Sequence, residues 1–361
     1  MIIYDTKDNF RLIFSYEGSI WKKVLLPCFI NILSTLIIWH FKIHKNTVSF
    51  SDSGHTFMAV MVSVLLVTRF KITYNRFRES SVHLCGLMTA CRELIQHMII
   101  LSRYEKSNEA CAWRFEVTRQ TISLLELSRD FLIVKALFTV GKEQHVLESY
   151  RNKRNKSMTQ SELQSLINSR SDSTGETSPL LFSLFLRTTI ITNRDYLEIP
   201  LIPHYEMKLL SYVEDFVNSY HSLMCINATQ FPFPIVQMCQ TLLWLWVLTL
   251  PFALRDDYTN PDKIVQNIVL IILLTYGFIG LEMVSIELDE PFGDDLNDFD
   301  IKYLTQKTIN DIIIYLKAEC EDNDVGLNFM GKLDTLEKST QLTNLFEVLP
   351  LRRQQKSWRN V

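Results

Sequence analysis

The sequence lacks the motifs on which common nucleotide-binding and hydrolytic sites are built. It contains no GxxxxGK[ST], GxGxxG, HExxH or GxSxG pattern, and glycine is sparse, at ten of 361 residues. Phosphate cradles depend on glycine-rich loops, and hydrolytic centres depend on a paired nucleophile and base at defined spacing. These absences predict that the protein is not an enzyme.

Disulfides, zinc sites and nucleic-acid binding also find little support. The seven cysteines are scattered, with no CxxC pair and no histidine cluster beside them, which predicts free, reduced thiols facing a cytosol. The chain has 37 basic and 40 acidic residues, so it has no overall basic field of the kind that attracts nucleic acid. The N-terminal residues do not resemble a signal peptide, and we expect the first apolar stretch to be retained.

Long apolar stretches are present, but they are confined to a few windows. Hydrophobic residues make up 47% of the chain, which is ordinary for a soluble protein. Four windows stand out and are predicted to span a membrane, at about residues 24–41, 54–72, 231–254 and 264–286. The first window, if helical, reaches roughly 27 Å, close to the ~30 Å of a hydrocarbon core. The sequence therefore predicts an all-α integral membrane protein with four transmembrane helices.

The second window is the most informative, because its most apolar part, Phe57 to Val67, is short. Eleven helical residues reach only roughly 16 Å, so we expect protein rather than lipid to cover them. Phe57, Met61, Val64 and Thr68 recur at i, i+4, i+7 and i+11, which places them in one stripe that could face an axis. Ordinary core packing is the alternative explanation of this stripe.

The remaining sequence predicts a large soluble helical region. Amphipathic patterns fill much of residues 75–225, and a further helix is predicted over 290–310. Residues 151–179 are rich in Ser, Thr, Asn, Lys and Arg and predict a mobile polar insertion. The chain is predicted to divide into a membrane and helical domain over 1–310 and a C-terminal tail over 311–361.

Charges near the second window predict the orientation in the membrane. Arg69, Lys71, Arg76 and Arg78 crowd the end of its helix, whereas the loop before it carries only two lysines. Because cytoplasmic flanks are enriched in Lys and Arg, the end of the second helix and both chain termini are predicted to be cytosolic.

An acidic segment follows the last apolar window. Its oxygen-bearing side chains are Glu287, Asp289, Glu290, Asp294, Asp295, Asn297, Asp298 and Asp300. Calcium takes six to eight oxygen ligands, and Gly293 permits the sharp turn that would direct carbonyls towards an ion. The spacing is not that of an EF-hand, and an acidic cap on the next helix explains the segment equally well.

This segment, Ile286 to Asp300, resembles the post-membrane signature of the bestrophin family, an acidic N/D/E-P-F-G-x-D-x-x-D run. Three further stretches are similar to the family in order and spacing: Gly18–Lys22 before the first span, Leu65–Phe77 at the end of the neck helix, and Phe231–Leu254 in the third span. The resemblance covers about residues 1–310. It is closer to bacterial and plastid members than to animal ones.

The resemblance implies a homopentamer of four-helix subunits around a central pore that passes chloride and other monovalent anions. It implies that most of the mass is cytosolic. The predicted location is the plasma or inner membrane, with an organelle membrane as the alternative, and membrane lipid is a further partner. The family match assigns the pore neck to Ser53, Phe57 and Met61, with Val64 continuing the stripe. Ser53 replaces an expected bulky apolar residue. Phe233, directly before Pro234, is assigned to a cytosolic constriction.

The same resemblance raises calcium binding without requiring it. In some members an acidic clasp binds Ca²⁺, and the match assigns carboxylates to Asp295 and Asp298 and a carbonyl to Glu290. Leu296 and Asn297 interrupt the acidic run that animal members carry, so no cofactor is required and the Ca²⁺ site is left open. The alternative function is a non-conducting membrane scaffold that docks partners through this acidic segment.

Overall fold

The fold is built from helices. The computed structural model describes residues 18–40, 52–138, 159, 161–162, 178–254, 261–293, 297–320 and 331, and these residues include no strand. The helices are α1 Trp21–His40, α2 Asp52–Leu101, α3 Asn108–Phe138, α4 Ser178–Ile191, α5 Asn193–Tyr196, α6 Pro203–Ala228, α7 Phe233–Ala253, α8 Pro261–Asp289 and α9 Ile301–Cys320. The predicted all-α class is confirmed.

Proline marks the start of four of these helices. Pro203 and Pro261 are the first residues of α6 and α8, and Pro179 and Pro234 are the second residues of α4 and α7. The proline ring fixes φ near −65°, and the N–H that it lacks would have no intrahelical partner in the first turn. Proline therefore helps to determine where each of these helices begins.

The chain divides into two compact units, and the first comprises Met1–Ser80 and Thr229–Phe299. It contains α1, the first part of α2, α7 and α8, which pack around a common apolar core. The buried core residues are Val24, Cys28, Val62, Leu66, Leu243, Trp246, Val247, Leu250 and Ile279. Within this unit Asn31 of α1 donates to the Val247 carbonyl of α7 at 3.3 Å and to the Thr275 hydroxyl of α8 at 2.9 Å. One amide thus joins three helices.

The outer faces of these helices are also apolar. Four described helices are long and apolar enough to cross a membrane, which confirms the predicted number. Only 22–33% of their most apolar windows is buried within the chain, and large side chains such as Leu26 and Phe29 are exposed. A helix that is apolar on all sides needs apolar surroundings, which lipid or neighbouring subunits supply.

Hydroxyl side chains inside the apolar helices bond to their own backbone. Ser63 donates to the Ala59 carbonyl at 2.6 Å, and Thr68 donates to the Val64 carbonyl at 2.8 Å. Bonding to the carbonyl one turn earlier satisfies a hydroxyl where water is absent. These two hydroxyls are therefore compatible with a membrane.

Helix α2 is much longer than its apolar window. It runs without interruption from Asp52 to Leu101, which is about 75 Å at the helical rise. No proline or glycine pair breaks the sequence after residue 72, where the predicted span ends. The short apolar window therefore continues into an amphipathic helix, and the whole helix is long enough to cross a membrane.

The second unit comprises Ser81–Ala228 and Asp300–Val361. In its described part α3 is the central helix and contacts α4, α5, α6 and α9. Trp113 of α3 is buried and its indole N–H donates to the Thr189 carbonyl of α4 at 2.8 Å. The α9 helix, which extends past residue 310, is capped by Asp300, whose carboxylate accepts the Tyr303 N–H at 2.9 Å. One residue of the acidic segment thus acts as a helix cap.

A buried carboxylate in this unit is held by two donors. Arg194 contacts Glu206 at 3.1 Å, and the Asn193 amide donates to Glu206 at 2.9 Å. These hydrogen bonds from Arg194 and Asn193 hold the pKa of the Glu206 carboxyl below its usual range, against the opposing effect of burial. The pair fastens α6 to the short α5 helix.

Candidate functional site

The four residues predicted to line the neck lie on one exposed face of α2. Ser53 is exposed, and the exposed fractions of Phe57, Met61 and Val64 are 67%, 45% and 60%. The opposite face carries the buried Val62 and Leu66, so the stripe does not belong to the core of its own chain. That the stripe faces a pore axis stays a prediction.

The start of α2 is fastened to α7 by a reciprocal pair of contacts. The Trp246 indole N–H donates to the His55 carbonyl at 3.2 Å, and His55 Nε2 lies 3.2 Å from the Thr249 hydroxyl. The two rings are stacked with centroids 5.4 Å apart. His55 therefore orients the neck helix near Phe57, a role that its position in the sequence did not reveal.

An ion pair fastens the same helix five residues beyond Val64. Arg69 of α2 is bonded to Glu282 of α8, and their side chains are 4% and 2% exposed. Gln240 of α7 adds a contact to Glu282 at 3.4 Å. Charged residues within membrane helices are costly, usually paired, and concentrated at functional positions. Sequence reasoning used Arg69 only as a flanking charge and did not identify Glu282.

Phe233 lies at the first position of α7, with Pro232 as the N-cap residue and Pro234 after it. Its side chain is 72% exposed. The helix N-terminus contributes a partial positive charge at this point. That Phe233 forms a constriction stays a prediction.

The described parts of the acidic segment, on either side of residues 294–296, are joined to each other and supported by aromatic rings. The Phe299 N–H donates to the Pro291 carbonyl at 3.0 Å, which joins the two ends of the turn. The Phe77 and Phe299 rings stack with centroids 4.5 Å apart, and Phe292 is buried beside them, 6.0 Å from Phe299. The turn is thereby held against the neck helix.

Of the three residues predicted to bind Ca²⁺, Glu290 and Asp298 are described and Asp295 lies outside the described residues. Asp298 is buried, and a Cβ on Gly293 would lie 2.8 Å from its carboxylate and 3.7 Å from the Glu290 carbonyl. Glycine at this position therefore lets the two predicted ligands approach one point. A side chain there would collide with the carboxylate.

Nitrogen donors occupy part of the acidic segment. The Asn297 amide donates to the Gly18 carbonyl at 3.3 Å and to Glu287 at 3.0 Å, while Lys23 contacts Glu287 at 2.8 Å. Within the described ranges no group of three or more His, Cys, Asp or Glu side chains could hold a metal ion. The described residues alone do not make up a six-ligand calcium site.

Comparisons with known proteins agree with one another. A family model described as Bacterial/Fungal Bestrophin protein matches residues 1–313. Proteins called voltage-dependent anion channel-forming protein YneE, from Salmonella typhi and Salmonella typhimurium, are 23% identical over 304 residues, covering 82% of this chain and 88% of theirs. The YneE proteins are thus similar over most of both lengths.

Solved structures show the same fold. The crystal structure of a bacterial bestrophin homologue from Klebsiella pneumoniae, in a singly substituted form, has a TM-score of 0.64 at 14% identity and covers 81% of this chain and 98% of its own. The crystal structure of a variant described only as a membrane protein gives a TM-score of 0.66 at 14% identity, with the same shares of both chains. At this identity the likeness establishes the fold.

Proposed function

Because this chain belongs to the bacterial and fungal bestrophin family, we propose that it forms a membrane channel that conducts anions. The exposed apolar stripe of α2, in a unit with membrane-length helices, is the observation that carries the proposal. The name of the Salmonella relatives, voltage-dependent anion channel-forming protein, supports the same activity. Chloride and other monovalent anions are the proposed permeant ions.

The proposed assembly is a homopentamer in which five α2 helices surround one axis. Rings of Phe57 and Met61, extended by Val64, would form a narrow apolar neck. Such a neck blocks ions by dewetting and needs no charged plug. Ser53 leaves the outermost ring wider and more polar than the rest.

Phe233 is proposed to form the second constriction. Aromatic edges carry partial positive charge, and the α7 N-terminus adds more at the same position. Both effects favour an anion over a cation without the strong binding that a fixed full charge would cause. The proposed pathway therefore selects anions through weak partial charges rather than through a fixed full charge.

We place the protein in a plasma or inner membrane, with the second unit and both termini cytosolic. Basic residues after the apolar window of α2 support this orientation. Lipid is the proposed surrounding of the exposed apolar faces. Binding of Ca²⁺ by Glu290, Asp295 and Asp298 is a separate proposal, and no step of conduction depends on it.

The test is anion flux from liposomes that contain the purified protein. We expect chloride efflux, a higher efflux for Phe57→Ala because a smaller ring wets more readily, and no change for Phe29→Ala. Phe29 is a matched control, since it is a membrane-helix phenylalanine with a similar exposed fraction, 62%.

Absence of flux, or preference for cations, would refute the channel. Equal and measurable flux from wild type and Phe57→Ala would exclude Phe57 from the neck, whereas absence of flux from both proteins would favour the scaffold. One image of the particle with five-fold symmetry tests the assembly independently.

A further inference from the structure

Two arginines on α2 pair with two carboxylates on α8 at the same spacing. Arg69 and Arg76 are seven residues apart, and so are Glu282 and Asp289. Arg69 bonds to Glu282, and Arg76 Nη1 lies 2.5 Å from the Asp289 carboxylate. Seven residues are about two helical turns, or ~10 Å, so the pairs form two successive links between the same two helices.

Both arginines also contact the short segment that precedes α7. The Arg69 guanidinium carbon lies 5.9 Å from the centre of the Phe231 ring, within the range of a cation–π contact. Arg76 Nη2 donates to the Thr229 carbonyl at 2.7 Å. The links between α2 and α8 therefore hold a third element.

This third element leads directly to Phe233. Between Thr229 and Phe233 lie only three residues, and the last of them, Pro232, has a fixed φ of −57°. Pro234 restricts the backbone of Phe233 itself. Fixing Thr229 and Phe231 therefore leaves Phe233 little freedom to move.

Arg76 is suited to this task by its shape. One guanidinium nitrogen reaches a carboxylate on α8 while another reaches a carbonyl before α7, which needs the planar fork of arginine. A lysine ammonium, as a single point of charge, would satisfy one partner well and the other poorly. The pair is only partly buried, so it can be altered with less damage than Arg69.

We propose that Arg76, together with Arg69, is a positioning residue that fixes Phe233 relative to the neck helix. The two constrictions would then be held in register within each subunit. The inference rests on the proposed function for its meaning to conduction. The positioning itself is a property of the fold and is tested separately.

The experiment uses a nitroxide spin label on Phe233→Cys in the full-length protein, with the spectrum of the same protein lacking that cysteine subtracted. We expect Arg76→Gln to shorten the rotational correlation time of the label by at least about twofold, because the segment loses a fastening point. Arg76→Lys should give an intermediate value.

Arg92→Gln is the matched control. Arg92 lies on the same helix and pairs with Asp311 at 2.9 Å, and this pair is about as exposed as that of Arg76 with Asp289. Both partners of Arg92, Asp311 and Thr308, lie in the second unit. The label spectrum of the Arg92→Gln protein should match that of the labelled protein in which Arg92 is retained. Equal label mobility in Arg76→Gln and Arg92→Gln would overturn the inference, as would Arg76→Lys matching Arg76→Gln.

Flux distinguishes this inference from the proposed function. In liposomes, Arg76→Gln and Phe233→Ala should change efflux non-additively, whereas Arg92→Gln and Phe233→Ala should be additive. If wild-type protein passes no anion, the proposed function fails while the label mobility still decides the positioning. If flux is present and label mobility is unchanged, the inference alone fails.

Discussion

Replacing Glu282 by glutamine removes the charge that neutralises the buried Arg69 guanidinium. Both side chains are at most 4% exposed, so water does not compensate for the loss. Breaking such a pair from one side costs about 3–5 kcal/mol. Since the introduced amide can still accept one bond from Arg69, we expect the lower end, about 3 kcal/mol. The first unit has about 150 residues, and in a domain of that size 1 kcal/mol shifts the melting midpoint by about 2–4 °C. The expected fall in melting midpoint is therefore about 6–12 °C.

The assay is thermal unfolding of the detergent-solubilised protein, followed by tryptophan fluorescence. Two controls test whether the lower melting midpoint comes from the unpaired buried charge. The double variant Arg69→Met with Glu282→Met should melt above Glu282→Gln, because no unpaired charge remains buried. Lys23→Gln breaks an exposed pair with Glu287 and should cost less than about 1 kcal/mol. The reasoning would be refuted if Glu282→Gln melted within about 1 °C of wild type. It would also be refuted if the double variant melted below Glu282→Gln.

Two further predictions concern the carboxylates. Because the pKa of Glu206 is lowered in the fold, its contribution to stability is present above the ordinary carboxyl pKa and is lost as pH falls through the lowered value. In the Glu206→Gln protein the melting midpoint should therefore fall less steeply as pH decreases through that acid range. If it falls as steeply as in wild type, the contacts of Glu206 are not the source of the pH dependence. If Ca²⁺ acts at the acidic segment, a chelator should reduce flux in wild type and not in Asp298→Ala. If the chelator has the same effect on flux in both proteins, the proposed calcium site is refuted.

The apolar helices and the register of the stripe could be predicted from sequence because both depend on local periodicity. Phe57, Met61 and Val64 fall on one face as soon as the segment is helical. The length of α2 could not be predicted in the same way. Beyond residue 72 its pattern is amphipathic, and the sequence alone does not distinguish a continuing helix from a new one.

The pairing of Arg69 with Glu282 was missed because the two residues are 213 positions apart. Their partnership depends on how α2 packs on α8, which no single window encodes. A signal was nevertheless present in the equal seven-residue spacings of Arg69 to Arg76 and of Glu282 to Asp289. Equal spacing on two helices predicts paired links only after the helices are known to be neighbours.

In the acidic segment, the turn could be predicted from the sequence, but the side-chain contact that holds it to Gly18 could not. Pro291 and Gly293 predicted a sharp break, and the structure has one. The bridging amide of Asn297 was not foreseen, because it was regarded as an interruption of the acidic run rather than as a donor to Gly18. A residue that departs from a family pattern can supply a contact of its own.

The unbroken course of α2 restricts how a neck built on it could open. Sharp bends in helices arise at prolines and similar interruptions, and there is no proline between Asp52 and Leu101. No proline therefore provides a hinge beside Phe57. A neck built on this helix would open by rotation of the helix about its own axis or by a rotamer change of the phenyl ring. Rotation would have to break or strain the contacts that fasten the helix to α7 and α8, whereas a rotamer change would leave them intact.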